Sequence, residues 1–199
     1  MSPRPDVSEE RKNQIIAAAT AVFMRLGFHD ARMDDIVEEA GLSKGTLYWY
    51  FKSKDDIISA ILENMVNREV AQLSDVLIGD LSAKEKLLVF TKNMIEDITR
   101  MKPLMPILFE FWALSTRQKS VQQTIRKFYL IYLDSITPII QQGIDRGEFQ
   151  LVKAENVSIA LGAIFEGTIL LWSYAPETID IEEHIDTSVR LLIEGLEVK

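Results

Sequence analysis

Apolar side chains recur every three or four positions along nearly the whole chain, and no segment alternates steadily between apolar and polar residues. A three-to-four-residue period places apolar side chains on one face of an α-helix, whereas strict alternation would indicate a strand. The pattern therefore predicts an all-α protein of about nine helices. The predicted helices span, approximately, residues 8–26, 34–40, 44–51, 53–77, 82–100, 104–114, 119–146, 154–174 and 180–197.

Local signals mark several of the predicted helix ends. Gly41 can adopt the left-handed conformation that stops a helix, and Ser43 can cap the next one. The runs 53–56 and 82–85 each place a serine three residues before an acidic residue, which is the spacing of a capping box. Pro138 lies inside the long helix predicted over 119–146, and we expect a bend there because proline removes a backbone donor.

The segment 34–51 has the dimensions of a helix-turn-helix, in which the second helix can enter the major groove of DNA. Its apolar residues would pack the two short helices against the first helix: Ile36, Val37, Ala40, Leu42, Leu47 and Phe51. The remaining residues would face outward with hydroxyl, amine and indole donors suited to phosphates and base edges: Ser43, Lys44, Thr46, Tyr48, Trp49 and Tyr50.

Three further residues favour DNA contact by this segment. Gly45 would let the free amides at the helix N-terminus approach phosphates, and Lys52 and Lys54 would flank the groove. The alternative is that the aromatic run 48–50 merely covers a small hydrophobic core.

The net charge of −8 resides entirely in residues 55–199, because residues 1–54 contain eight basic and eight acidic side chains and are neutral overall. An acidic remainder would repel DNA and favour docking through the neutral first quarter.

The composition argues against an enzyme and against a cofactor. Cysteine is absent and histidine occurs twice, so neither disulfides, a thiolate metal site nor a cysteine nucleophile is available. A helical bundle with carboxylate or metal chemistry would need Glu-x-x-His spacing, and neither this nor a Gly-rich phosphate loop is present. A protein-interaction module remains the other alternative. Duplex DNA binding that weakens steeply with salt would distinguish it from a DNA reader.

Residues 157–175 form an apolar stretch whose one charged residue is Glu166. A central carboxylate is unfavourable in a bilayer and flanking basic clusters are missing, so we predict a buried helix rather than a membrane span. Residues 1–6 lack the apolar segment of a signal peptide. We therefore expect a cytoplasmic protein with no membrane partner.

The uninterrupted run AGLSKGTLYWYFKSKDD, residues 40–56, resembles the DNA-binding half of the TetR family of bacterial transcriptional repressors, and the match extends over residues 8–54. The second half, through FEFWA and GIDRGEF, also resembles regulators of the choline and sulfur-osmolyte type. The resemblance implies a DNA-binding domain over 1–54 and a ligand-binding and dimerisation domain over 55–199. It further implies a homodimeric repressor on a palindromic operator, released by a small, largely apolar molecule.

The resemblance also implies roles for individual residues of the helix-turn-helix. The phosphate contacts would be Ser43, Thr46, Tyr48, Tyr50 and Lys54, and the residues nearest the bases would be Lys44, Gly45 and Trp49. Two departures from the family pattern change this picture. Ala31-Arg32 stands where the family has a threonine pair, so Arg32 would contact a phosphate instead, and Trp49 stands where histidine is frequent.

Aromatic and methionine residues spread over four predicted helices would line the ligand cavity that the resemblance implies. Two acidic residues are candidates for a charged contact to the ligand. The predicted lining comprises Phe90, Met94, Met101, Phe109, Glu110, Trp112, Phe128, Tyr129, Tyr132, Phe165 and Glu166. The alternatives are that the aromatic and methionine residues are ordinary core and that Glu166 pairs across a dimer.

The last two predicted helices are more apolar than surface helices need to be, and their small residues would permit close helix approach. By the resemblance, both would join their counterparts in a second chain. The predicted interface residues are Ile159, Gly162, Ala163, Gly167, Trp172, Ile185, Val189, Leu192, Ile193 and Leu196. The alternative is that these residues are buried within one chain. A dimer would place two reading helices about 34–36 Å apart, on successive major-groove turns.

Overall fold

The computed structural model describes residues 7–64 and 80–198. Regular structure in these ranges is helical, and the single isolated β-bridge found there joins Phe149 to Glu197. The helices are α1 (Val7–Leu26), α2 (Met33–Ala40), α3 (Lys44–Tyr50), α4 (described over 54–64), α5 (Ala83–Met101), α6 (Met105–Ser115), α7 (Lys119–Asp145), α8 (Ala154–Tyr174) and α9 (Ile181–Leu196). The prediction of an all-α fold is confirmed. The part of α4 predicted to extend to residue 77 lies outside the described residues.

Both capping boxes predicted from the sequence are formed. Ser53 Oγ accepts from the Asp56 amide at 3.1 Å, and the Asp56 carboxylate accepts from the Ser53 amide at 3.0 Å. Ser82 and Glu85 make the same exchange at the start of α5, with distances of 3.2 and 2.8 Å. The hydrogen bonds that Ser82 donates lower the pKa of the Glu85 carboxyl. These reciprocal bonds satisfy amides that the first turn of a helix leaves free.

The prolines have different effects from one another. Pro103 lies in a short 3-10 turn, Lys102–Leu104, which separates α5 from α6. Pro138 lies inside α7, which runs as one helix through that position. The carbonyl left without its intrahelical donor belongs to Asp134, an exposed residue. The bend at Pro138 stays a prediction.

The chain divides into two compact units. The first contains the described residues of Met1–Met65 together with Met101–Lys127. Its hydrophobic core is one cluster to which α1, α2, α3, α4, α6 and the start of α7 all contribute. Its buried members include Ile15, Ala19, Val22, Phe23, Ile36, Leu47, Ile57, Ile58, Ile107, Phe111 and Val121. The packing of this unit thus includes α6, whereas the predicted functional division at residue 54 stays a prediction.

The second unit contains the described residues of Val66–Arg100 and Phe128–Lys199. It buries apolar side chains from α5, α7, α8 and α9, among them Leu87, Phe90, Ile136, Ile139, Ile140, Leu161, Phe165, Ile185 and Val189. Gly143 is required for this packing. A Cβ atom there would lie 2.3 Å from a ring carbon of Phe149 and 2.8 Å from the Ala83 Cβ, too close for any other residue.

One helix among the described residues, α8, is long and apolar enough to cross a membrane, with a mean hydropathy of 1.5. Core helices of soluble proteins have the same length and composition, so a single helix of this kind is weak evidence for a span. In this structure α8 packs along α9 and buries Leu161, Phe165 and Ile169. The packing favours the predicted buried helix.

Candidate nucleic-acid interface

Ser43 and two apolar side chains fix the orientation of α3. Ser43 Oγ accepts from the Thr46 amide at 3.1 Å and lies 2.8 Å from Thr46 Oγ1, so it caps the helix. Leu47 is fully buried and Phe51 is 4% exposed, and both belong to the core of the first unit. Because residues four apart share a helix face, the opposite side of α3 is turned away from the core.

Aromatic side chains on α3 differ in how far they leave the core. Trp49 exposes 79% of its surface and Tyr48 exposes 40%. Tyr50 is half-buried and packs against the core of the first unit, so only two of the three adjacent aromatic residues are presented outward. A tryptophan exposed to this extent contributes little to the stability of the unit. Tyr48 and Trp49 are adjacent, so together they form an exposed aromatic surface suited to an interaction.

The two lysines nearest α3 each have one intramolecular contact. Lys44 Nζ pairs with the Asp34 carboxylate at 2.8 Å, and both side chains remain exposed. The hydrogen bond to Asp34 raises the pKa of the Lys44 ammonium. Lys52 Nζ donates to the Tyr48 carbonyl and is also exposed. Exposed pairs of this kind are weak, so both ammonium groups can exchange their partners for a phosphate.

Lys54 is placed differently from the other two lysines. Its ammonium donates to three backbone carbonyls of the loop between α1 and α2: those of Phe28, His29 at 3.1 Å and Ala31 at 2.6 Å. It also lies 4.7 Å from the centre of the Phe28 ring, a cation–π distance. All three ammonium hydrogens are therefore used inside the chain. Lys54 joins the start of α4 to the loop that leads into α2.

Arg32 and Gly45 are both exposed. Arg32 precedes α2 as its N-cap residue, and its backbone amide donates to the Asp35 carboxylate at 2.7 Å, which leaves its side chain outside the cap. A Cβ atom at Gly45 would meet Ser43 Oγ at 3.8 Å, an ordinary contact. The fold itself does not require glycine at that position.

Sequence reasoning missed the polar contacts that attach α2 to α1. Gln14 Nε2 donates to the Ala40 carbonyl at 2.7 Å, and Arg25 pairs with Glu39 at 2.9 Å. The first bond satisfies a carbonyl at the C-terminus of α2, where intrahelical donors are lacking. Nothing in the apolar periodicity distinguishes Gln14 from other polar residues on α1, so only the tertiary structure reveals it.

The predicted ligand-contacting residues divide between the two units. In the second unit, Phe90 packs edge-on against Phe165 at 5.9 Å between ring centres and lies 6.2 Å from Tyr132. We call Phe90, Tyr132 and Phe165 the ring cluster. The Tyr132 hydroxyl donates to the Ser158 carbonyl at 2.7 Å, and burial raises its pKa. Met94 is half-buried.

The other predicted contacts are less enclosed or belong to the first unit. Burial by neighbouring groups raises the pKa of Glu166, although its side chain is exposed in a single chain. Phe128 is half-buried, and Tyr129 is 39% exposed. In the first unit, the rings of Phe109 and Trp112 meet at 5.5 Å, Met101 is buried and Glu110 is exposed.

The predicted dimer residues fall into two groups. Four of them face the core of their own unit, because Ile185, Val189, Ile193 and Leu196 are at most 8% exposed. Their burial inside the chain accounts for the apolar spacing of α9 without a second chain. Trp172 and Leu192 are intermediate, and Gly162 lies against the Tyr132 ring. Ile159 and Ala163 are exposed, and a Cβ atom at Gly167 would meet nothing within 4 Å.

A capped short helix that follows another short helix across a tight turn, with one face buried in a helical core and an exposed aromatic face, is the arrangement of a helix-turn-helix transcriptional regulator. Residues 15–61 match the family described as bacterial regulatory proteins, tetR family. Residues 83–194, more than half of the chain, match the C-terminal domain of the BetI-type transcriptional repressors. The chain belongs to the TetR family of transcriptional regulators.

Individual relatives agree with this assignment. The HTH-type transcriptional regulator YfiR of Bacillus subtilis is 30% identical over 161 residues, covering 77% of this chain and 76% of YfiR. A TetR transcription regulator from Haloarcula marismortui has a TM-score of 0.84 at 20% identity, covering 96% of this chain and 100% of its own. A regulator from Saccharomonospora viridis, solved in complex with choline, has a TM-score of 0.81 at 21% identity, with coverages of 96% and 100%.

Proposed function

We propose that this regulator is a cytoplasmic homodimeric repressor, which binds a palindromic operator and is released by a small, largely apolar molecule. The observation that carries the proposal is the exposure of Trp49, 79%, on a helix whose opposite face is fully buried. A large aromatic group is thus present where it contributes little to the core. Membership of the TetR family supports a role for that group at DNA.

In the proposed complex α3 lies in the major groove. Tyr48, Trp49 and Lys44 are exposed on α3, and Lys44 and Trp49 would meet base edges. Phosphates would be bound by hydroxyl and basic groups around the helix: Arg32, Ser43, Thr46, Tyr48, Tyr50 and Lys52. Gly45 would allow the helix N-terminus to approach the backbone closely. Lys54 would support this surface through its contacts with the loop before α2.

The proposed dimer surface is the exposed stripe of α8. Its members recur at intervals of three or four residues, apart from the adjacent Glu166 and Gly167, and all are exposed except Gly167, which is half-buried. They are apolar or small except for one carboxylate: Ile159, Ala163, Glu166, Gly167, Leu170 and Tyr174. Leu191 is 64% exposed on α9, which packs along α8. Such a stripe would be covered by its counterpart in a second chain, since an isologous interface uses the same patch twice. Two copies of α3 would then read two half-sites.

The proposed effector site lies in the second unit at the ring cluster. Aromatic faces and the half-buried Met94 suit an apolar body, and aromatic rings also bind cations. The choline complex of the Saccharomonospora viridis regulator shows that protein binding a small cation. Effector binding would shift the population of dimers away from the spacing that fits both half-sites.

The experiment is a footprint on the DNA upstream of the gene, followed by measurement of affinity against salt concentration. A protected palindrome bound by a dimer, with affinity that falls steeply with salt, is the expected result. The matched variants are Trp49→Ala, which should lose affinity for the operator, and Leu26→Ala, an exposed apolar residue at the end of α1 that should not. A folded dimer that binds no duplex at low salt would refute the proposal and favour an interaction module.

A further inference from the structure

Asp97 carries the most unusual polar atom among the described residues. Its side chain is 7% exposed, and Oδ1 forms an ion pair with Arg100 Nη1 at 2.6 Å. Oδ2 is buried and has no hydrogen-bond partner in the described part of the chain. A buried carboxylate oxygen without a donor is destabilising, and native proteins pair nearly all such atoms. Among the described residues Asp97 Oδ2 is thus an acceptor that a donor group of a bound molecule would satisfy.

The position of Asp97 on α5 shows where that donor would come from. Phe90, Met94 and Asp97 are spaced by four and three residues, so all three lie on one face of the helix. Phe90 contacts the rings of Tyr132 and Phe165 at the end of this face. Asp97 lies about 10 Å further along the helix axis. The face thus has a carboxylate at one end, a flexible apolar side chain in the middle and aromatic rings at the other end.

We propose that Asp97 binds the protonated amine of the effector, and that the apolar body of the same molecule extends along Met94 to the ring cluster. This inference rests on the proposed function, because it specifies the ligand class of the same effector site. It replaces Glu110 and Glu166 as the charged contact. Both of those residues are exposed in the single chain, whereas Asp97 is buried beside apolar positions of its helix.

The chemistry of Oδ2 selects among possible head groups. The atom is an acceptor, so an alcohol or an amine N–H can bind it, but a quaternary ammonium group has no hydrogen to donate. An ammonium N–H also supplies the charge that makes a bond to a carboxylate roughly twice as strong as a neutral one. Arg100 pairs with Oδ1 only, and its side chain is 56% exposed. The second carboxylate oxygen, Oδ2, therefore stays open to the ligand.

The test uses the full-length protein and three probes with the same chain: octylamine, octan-1-ol and octyltrimethylammonium, titrated calorimetrically at neutral pH. Wild type should bind octylamine about tenfold more tightly than either of the others, which corresponds to one charge-assisted hydrogen bond. Asp97→Asn should abolish this preference. Glu96→Gln, which removes an exposed carboxylate from the neighbouring position on α5, should retain it.

Arg100→Gln is the second variant, and it keeps the Asp97 carboxylate. It provides the test if circular dichroism shows that Asp97→Asn is unfolded. Freeing Oδ1 should raise the affinity for octylamine, and unchanged affinity would overturn the inference. Equal affinities of wild type for the three probes, or a preference that survives in Asp97→Asn, would do the same. If wild type still binds operator DNA in that case, only the amine inference fails. If no duplex is bound, the proposed repressor function fails, and the calorimetry alone decides the role of Asp97.

Discussion

Replacing Lys54 by methionine should separate a structural contact from a phosphate contact. Lys54→Met keeps the aliphatic stem of the side chain beside Phe28 and removes the ammonium alone. In the wild-type structure that ammonium donates to the carbonyls of Phe28, His29 and Ala31. The variant leaves these three acceptors without their shared donor, in the loop that leads directly into α2.

The expected loss of stability follows from these contacts. A hydrogen bond to a charged group contributes about 1.5–3 kcal/mol, but one ammonium serves all three carbonyls and the bond to His29 is exposed to water. The cation–π contact with Phe28, at 4.7 Å, adds about 0.5–1 kcal/mol. We expect Lys54→Met to lower the free energy of unfolding by about 2–3 kcal/mol, because water can replace part of what is lost.

Two measurements check this reasoning: urea unfolding, and operator affinity as a function of salt concentration. Removing a phosphate contact lowers the slope of log affinity against log salt by about 0.9 per chain, whereas removing an internal contact leaves the slope unchanged. Lys54→Met should therefore be less stable and bind more weakly with the wild-type slope. The matched control, Lys52→Met, should lower the slope at nearly wild-type stability. A stable Lys54→Met variant with a reduced slope would refute the internal role of Lys54.

Three further predictions concern exposed, buried and titrating side chains. Trp49→Ala should alter base preference in a binding-site selection. It should change the free energy of unfolding by less than about 0.5 kcal/mol, because Trp49 is 79% exposed. An equal loss of affinity for all DNA sequences, as expected for Tyr48→Ala, would instead make Trp49 a backbone contact. Phe111→Ala should lower the free energy of unfolding in urea by about 3–5 kcal/mol, since Phe111 is fully buried, while the exposed Glu110→Ala should not. Because the folded chain raises the pKa of Glu166 above 4.5, ionisation opposes folding as pH rises, so Glu166→Gln should melt above wild type at pH 7. That difference should shrink as pH falls toward 4.5 and below, and a constant difference would contradict the shift.

Features determined by neighbouring residues could be predicted from the sequence. Both capping boxes and the stop at Gly41, whose φ is +63°, depend on side chains within a few residues of one another. The helix-turn-helix also follows from local spacing, because Leu47 on α3 and Phe51 at its C-cap lie four residues apart and are both buried. The identity of the family came from the same uninterrupted run of residues.

Features determined by distant contacts could not be predicted in the same way. The apolar residues of α9 could serve either its own core or a second chain, and the structure buries Ile185 and Val189 inside the chain while leaving Leu191 exposed. Lys54 binds carbonyls more than twenty residues earlier, a contact without any spacing rule. Asp97 is the exception, since its four-and-three spacing from Phe90 and Met94 is visible in the sequence. Aromatic content alone does not indicate it, because Asp97 is a carboxylate.

The core that α6 shares with α1 to α4 has a consequence for protein engineering. Ile107 and Phe111 of α6 and Val121 of α7 are buried in the same cluster as Leu47 of α3. The smallest part of this protein that can be transplanted with its own packing is therefore discontinuous in sequence. A chimera cut after residue 54 would expose the apolar faces of α1 to α3 and would need a new surface to cover them. To exchange DNA specificity between such regulators, the outward side chains of α3 should be grafted onto an intact host protein, because this leaves the shared core unchanged.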